Sequence, residues 1–110
     1  MKITYNKLVR DRIPEIIEAA GGHCRTRVLS DAAYLAMLDA KLDEELAEFR
    51  RDQNIEELAD LLEVIRAVAV AHGCTPDQLE AVRAEKAEKR GGFEKKIFLI
   101  ETIEKEVNHD

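Results

Sequence analysis

Apolar residues recur along most of the chain at intervals of three and four, the spacing of an amphipathic helix. Leu35, Leu38, Leu42, Leu46 and Phe49 form one such stripe, within a helix predicted from Ser30 or Asp31 to about Arg51. Ile55, Leu58, Leu62, Ile65 and Ala69 form the main stripe of a second helix, running to about His72. Asn54, with Glu57 three places on, fits a capping box at its start. Thr75-Pro76-Asp77-Gln78 is a stronger start signal: a Thr cap, Pro at the first helical position and Gln at the third. The helix it opens ends at Gly91-Gly92. An earlier, shorter helix begins near Asp11 or Pro14 and ends before Gly21, with Ile13, Ile16 and Ile17 as its apolar side. Cys24–Leu29 alternates weakly, as a short extended segment would. The apolar tail Phe93–Ile100 reads as extended, and residues 101–110 as a helical or frayed terminus. The expectation is an all-α antiparallel bundle of about four helices plus a short extended tail.

No repeat, low-complexity tract or linker interrupts this pattern, and 110 residues make a single domain, 1–110. A domain this small has little apolar surface to spare. Yet the helix after Asn54 is apolar in two sectors, the main stripe and a second one through Val64, Ala67 and Ala71. Between Val64 and Ala71 only Arg66 is charged. A helix apolar nearly all round is covered on more than one side. The expected consequence is a homo-oligomer, a dimer or tetramer built on this helix.

Composition narrows the function. Trp is absent and aromatics are 5%, which argues against a base-stacking platform. A formal charge of -6 opposes binding of long nucleic acid, although the basic residues do collect at the N-terminus and around residues 83–96. Cys24 and Cys74 make neither a C-x-x-C nor a disulfide framework and read as thiols of a reducing cytosol. The opening MKITYNKLVRDRIPEII lacks the apolar core of a signal peptide, and no apolar run reaches the ~20 residues of a membrane span. The expected location is cytoplasmic, with no membrane partner.

The chemistry lies in two acidic pairs. Glu45-Leu46-Ala47-Glu48 is an E-x-x-E, and Glu57-Leu58-Ala59-Asp60 is an E-x-x-D on the next helix. Residues three apart lie on one side of a helix, close enough for two carboxylates to share a hard cation. The short intervening loop makes the helices antiparallel neighbours, so the pairs can face each other. With the first stripe centred on Leu42, Glu45 and Glu48 border the core while Glu44 falls nearly opposite and faces elsewhere. Helical acids ordinarily mark a solvated face, and Glu57 has a capping role available. Their place beside an apolar sector favours a site, because gathered carboxylates repel and require a cation or protons. An all-oxygen set suits Mg2+, with Mn2+ as a substitute, and the lack of His and Cys in the cluster argues against zinc. His23, His72 and His109 read as surface or cap residues.

These acidic pairs resemble the motif of the all-α nucleoside triphosphate pyrophosphohydrolase superfamily, which includes MazG, dimeric dUTPases and phosphoribosyl-ATP pyrophosphohydrolase. The opening Tyr5-Asn6-Lys7-Leu8-Val9-Arg10-Asp11-Arg12-Ile13-Pro14 and the ending Lys86-Ala87-Glu88-Lys89-Arg90-Gly91-Gly92-Phe93 resemble a MazG-like branch, so the resemblance covers residues 5–100. The Glu48–Glu57 separation is at the short end for the superfamily and speaks against extra substrate-binding elements between the two helices. The resemblance implies Mg2+ held by Glu45, Glu48, Glu57 and Asp60, and cleavage of a (d)NTP or related nucleotide between the α- and β-phosphates. A motif acid such as Glu45, or Glu44 as a weaker candidate, would take the proton of the attacking water. Two basic groups would meet the phosphates: Lys7, Arg10 and Arg12, and Lys86, Lys89 and Arg90 beside the glycine pair. The same residues leave two alternatives, phosphoribosyl-ATP hydrolysis in histidine biosynthesis and a non-catalytic helical interaction module.

Overall fold

The computed structural model describes residues 1–103. Four helices follow one another: α1 (Ile13–Ala19), α2 (Asp31–Asp52), α3 (Ile55–Ala71) and α4 (Pro76–Arg90). No strand occurs among the described residues, so the chain is all-α. The residues from 101 onward, expected to be a helical or frayed terminus, are unstructured as far as 103, and the rest lie outside the described residues.

α2, α3 and α4 each start at a side-chain cap, whereas α1 starts at Arg12 without one and has Pro14 in its first turn. The Ser30 side chain accepts from the amide of Ala33, and the Asn54 side chain accepts from the amide of Glu57 at 3.0 Å. Thr75 and Gln78 form the full reciprocal capping box, with Thr75 N–H donating to Gln78 Oε1 at 2.8 Å. The box expected at Asn54 forms by half. Glu57 does not reach back to the cap, because its carboxylate turns toward α2.

α2 and α3 are joined by two residues, Gln53 and Asn54. Gln53 takes the left-handed conformation, φ 55° and ψ 36°, and its amide donates to Phe49 O, which closes α2 abruptly. The helices return antiparallel: Asp31, Tyr34 and Leu35 near the start of α2 line one shallow groove with Val70 and Ala71 at the end of α3. This hairpin is the heart of the fold. α4 packs on α3 alone, and α1 packs against no other helix.

The face of α3 that meets α2 differs from the one its large residues suggest. Glu57, Asp60, Leu61, Val64, Ala67, Val68 and Ala71 are half-buried or buried along one side, and Ala69 is buried on the other. The expected main stripe lies one residue, ~100°, around the helix, and is mostly open: Ile55, Leu58, Leu62 and Ile65 are exposed, Ile55 by 76%. α2 presents only Leu38 and Glu45 as fully buried residues, with Leu42, Leu46 and Phe49 half-buried. On the covered side Leu61, Val64 and Val68 lie with small residues and the two acids, while Ile55, Leu58, Leu62 and Ile65 are left outside.

Little else is covered. Leu38, Val64, Ala69 and Glu45 are the buried residues. Cys24–Leu29 and the tail Phe93–Ile100 carry no strand pairing, and Phe93, Ile97, Phe98, Leu99 and Ile100 are all exposed. The accessible surface is 10252 Å², against roughly 6,200 Å² for a compact monomer of this mass. The radius of gyration is 19.3 Å, where ~13 Å would suffice. No helix among the described residues is long and apolar enough to cross a membrane.

Candidate metal centre

The hairpin brings the two acidic pairs together near its closed end. Glu45, Glu57 and Asp60 offer carboxylate oxygens within 4.8 Å of one another, and so do Glu44, Glu45 and Glu48. Glu45 belongs to both groups. It is 6% exposed, as deep as the core leucine Leu38. Its Oε2 and the Oε2 of Glu57 are both shut from solvent with no hydrogen-bond partner. Such orphaned acceptors are costly in a folded protein unless something supplies positive charge.

Electrostatics separate the acids. Burial pushes the Glu45 carboxyl above its ordinary 4.5, the neighbouring Glu48 adds to this, and Lys41 opposes it only in part. Desolvation likewise raises Glu57, reinforced by the charges of Asp52, Asp60 and Glu45. Glu44 behaves oppositely. Partial burial pushes it up, but hydrogen bonds from Lys7 and Lys41 outweigh that and hold it below the ordinary value.

Glu44 therefore corrects the sequence-based direction. It does not face away from the motif acids but lies among them. Glu44 and Glu48 are four apart and share a helix face, and Lys7 Nζ donates to Glu44 Oε1 at 3.2 Å from the N-terminal segment. Arg10 of the same segment donates to Asp60 Oδ1 at 2.7 Å. Two of the three N-terminal basic residues thus reach the acids themselves. Arg12 instead pairs with Glu15 on α1.

The second basic group stays apart. Lys86, Lys89 and Arg90 line a shallow groove on α4 with Val82 and Glu85, and Lys89 donates to Glu85 at 2.8 Å. No ion pair among the described residues joins them to the four motif acids. The amide of Gly91, the first of the glycine pair beside them, donates to Ala87 O at 2.8 Å.

One residue of the cluster escaped the sequence reading. Lys41 Nζ lies 3.2 Å from Glu45 Oε1 and 3.3 Å from Glu44 Oε2, with its side chain 16% exposed. Its spacing of three and four from two acids was the available signal. His72 caps α3 and His23 is exposed, both outside the cluster, while His109 lies outside the described residues. Both cysteines are free.

Comparison with known proteins adds little. No family model matches the chain, and no solved structure matches it. An uncharacterized protein of Mycolicibacterium smegmatis is 64% identical over 44 residues, 40% of this chain and 45% of that relative. The chain therefore matches less than half of the relative's length.

Proposed function

We propose that the protein is a Mg2+-dependent nucleoside triphosphate pyrophosphohydrolase, releasing a nucleoside monophosphate and pyrophosphate. The observation that carries this reading is the pair of buried, unpartnered oxygens, Glu45 Oε2 and Glu57 Oε2, beside Asp60 in an all-oxygen cluster. That donor set fits a hard divalent cation. Glu45, Glu48, Glu57 and Asp60 would hold Mg2+, or Mn2+ in its place, which would supply positive charge at phosphate oxygens and lower the pKa of a water.

The chain's own groups do the rest. Lys7 and Arg10 stand at the rim of the acids and meet the phosphate charges there. Glu45, whose carboxyl is raised, is the motif acid that would take the proton of the water, and Glu44, held below its ordinary value with both oxygens engaged by lysines, is the weaker base. The α4 group Lys86, Lys89 and Arg90 joins the site only through a further rearrangement or another protomer. The exposed stripe of Ile55, Leu58, Leu62 and Ile65 on α3 supports a homo-oligomer, dimer or tetramer; a cytoplasmic location belongs to the same proposal.

Phosphoribosyl-ATP is a second substrate class compatible with the same chemistry. A helical interaction module is the non-catalytic alternative, and the exposed apolar surface suits it as well. A panel of triphosphates and phosphoribosyl-ATP, assayed with Mg2+ for pyrophosphate against orthophosphate, separates all three. Pyrophosphate from a (d)NTP that ceases on chelation is the expected result. Turnover of phosphoribosyl-ATP alone favours the second reading, and no turnover of any member favours the module.

A further inference from the structure

The two acidic groups that share Glu45 are not equivalent. In the group Glu44, Glu45 and Glu48, a cation is already present: the Lys41 ammonium lies 3.3 Å from Glu44 Oε2 and 3.2 Å from Glu45 Oε1. Lys7 takes the other oxygen of Glu44 at 3.2 Å. In the group Glu45, Glu57 and Asp60, Glu45 Oε2 and Glu57 Oε2 are buried and bare, Asp60 at the rim pairs with Arg10, and Lys41 reaches only the other oxygen of Glu45, Oε1.

We propose that Lys41 is a resident cation of the cluster, so that each chain takes one divalent ion, in the half bounded by Glu45, Glu57 and Asp60. This rests on the metal reading of the site. Charge balance agrees with it. Five carboxylates (Glu44, Glu45, Glu48, Glu57 and Asp60) meet three cationic side chains (Lys7, Arg10 and Lys41), leaving two negative charges, those of one divalent ion. A second divalent ion between Glu44 and Glu45 would have to displace an ammonium that is itself largely buried and tied to both. Lys41 acts as a positioning residue: it holds the Glu45 carboxylate through Oε1 and leaves Oε2, buried and unpartnered, for the ion.

Mn2+ titration of the full-length chain without nucleotide, by paramagnetic resonance and calorimetry, tests this directly. The expected result is one Mn2+ per chain. Glu57→Gln should weaken it at least tenfold, and Glu44→Gln should change it by less than about threefold, the scale of a screened ion pair. Lys41→Met should admit a second Mn2+. Two ions in the unmodified chain would overturn the proposal, and so would a loss in Glu44→Gln as severe as in Glu57→Gln. A single ion in a folded Lys41→Met chain would overturn it too. Should Lys41→Met fail to fold, the contrast between Glu44→Gln and Glu57→Gln decides alone. If the unmodified chain binds no Mn2+ at all, the metal reading falls together with the proposal; if it binds one ion through Glu44 instead, only the proposal falls.

Discussion

α3 has two faces that differ by ~100° of rotation and by almost everything else. One face turns to α2 and is made of Glu57, Asp60, Leu61, Val64, Ala67, Val68 and Ala71. The other carries Ile55, Leu58, Leu62 and Ile65, and it is open. The face richer in large apolar side chains is the one the chain itself leaves uncovered. Hydrophobicity alone therefore did not choose the inward face. The acids Glu57 and Asp60 ride into the interface on the same register as Leu61, Val64 and Val68, and the larger residues of the other sector stay exposed on the single chain.

The widest separation of the two faces should appear in activity. Glu57→Gln and Asp60→Asn on the inward face should lower pyrophosphate release about a hundredfold or more, or about 2.7 kcal/mol in barrier. The exposed Glu56 and Glu63 supply controls: Glu56→Gln and Glu63→Gln should retain activity. Equal rates across all four variants would remove the metal assignment.

On the outward face the expected change is in assembly. The unmodified protein should sediment as a dimer or larger at micromolar concentration, and Leu62→Glu should shift it toward the 12.5 kDa chain. An unmodified protein that already runs at 12.5 kDa would show that the open stripe is not an interface between copies.

Acidity sharpens the contrast within the cluster. A raised carboxyl contributes stability that is fully present below 4.5 and is lost as pH rises through its folded value. Glu45 and Glu57 are of this kind. Glu44 is depressed, so its contribution is present above 4.5 and is lost as pH falls through its folded value. In chelator, Glu45→Gln should melt progressively higher than the parent as pH rises from 4.5, whereas Glu44→Gln should melt lower, the deficit shrinking toward acid. Parallel melting curves for parent and both variants would contradict these assignments.

The smallest effect belongs to the connection between the helices. Gln53 sits at φ 55°, where glycine lacks the Cβ penalty. Gln53→Gly should stabilise by ~0.5 kcal/mol, a rise of about 2–4 °C in Tm, without altering ion stoichiometry. A fall in Tm would mean that Gln53, whose Nε2 donates to Arg50 O, contributes more than its backbone costs.

The helices were legible because their caps are local. Ser30, Asn54 and Thr75 each bond an amide three residues on, and the sequence contains all that is needed to see it. The meeting of Glu45 with Glu57 and Asp60 was legible for the same reason, through a short loop and a three-residue repeat. Which of the two apolar sectors of α3 meets α2 was not legible, because an apolar stripe does not reveal which neighbour covers it. Glu44 was misplaced because its direction was read from α2 alone, while Lys7 approaches from 37 residues away. Lys7 and Arg10 were recognised as basic and given to phosphate, but their present partners are acids, a choice set by tertiary placement.

The brevity of the α2–α3 connection has a kinetic consequence. Glu45 and Asp60 are close in sequence and joined through two helical segments and two connecting residues. Contacts this local need little chain search and form early. The oxygen cluster should therefore be organised while the N-terminal segment and the apolar tail are still seeking their places. The grouping of Glu45 with Glu57 and Asp60 is a property of the hairpin, inherited by the rest of the molecule as it folds.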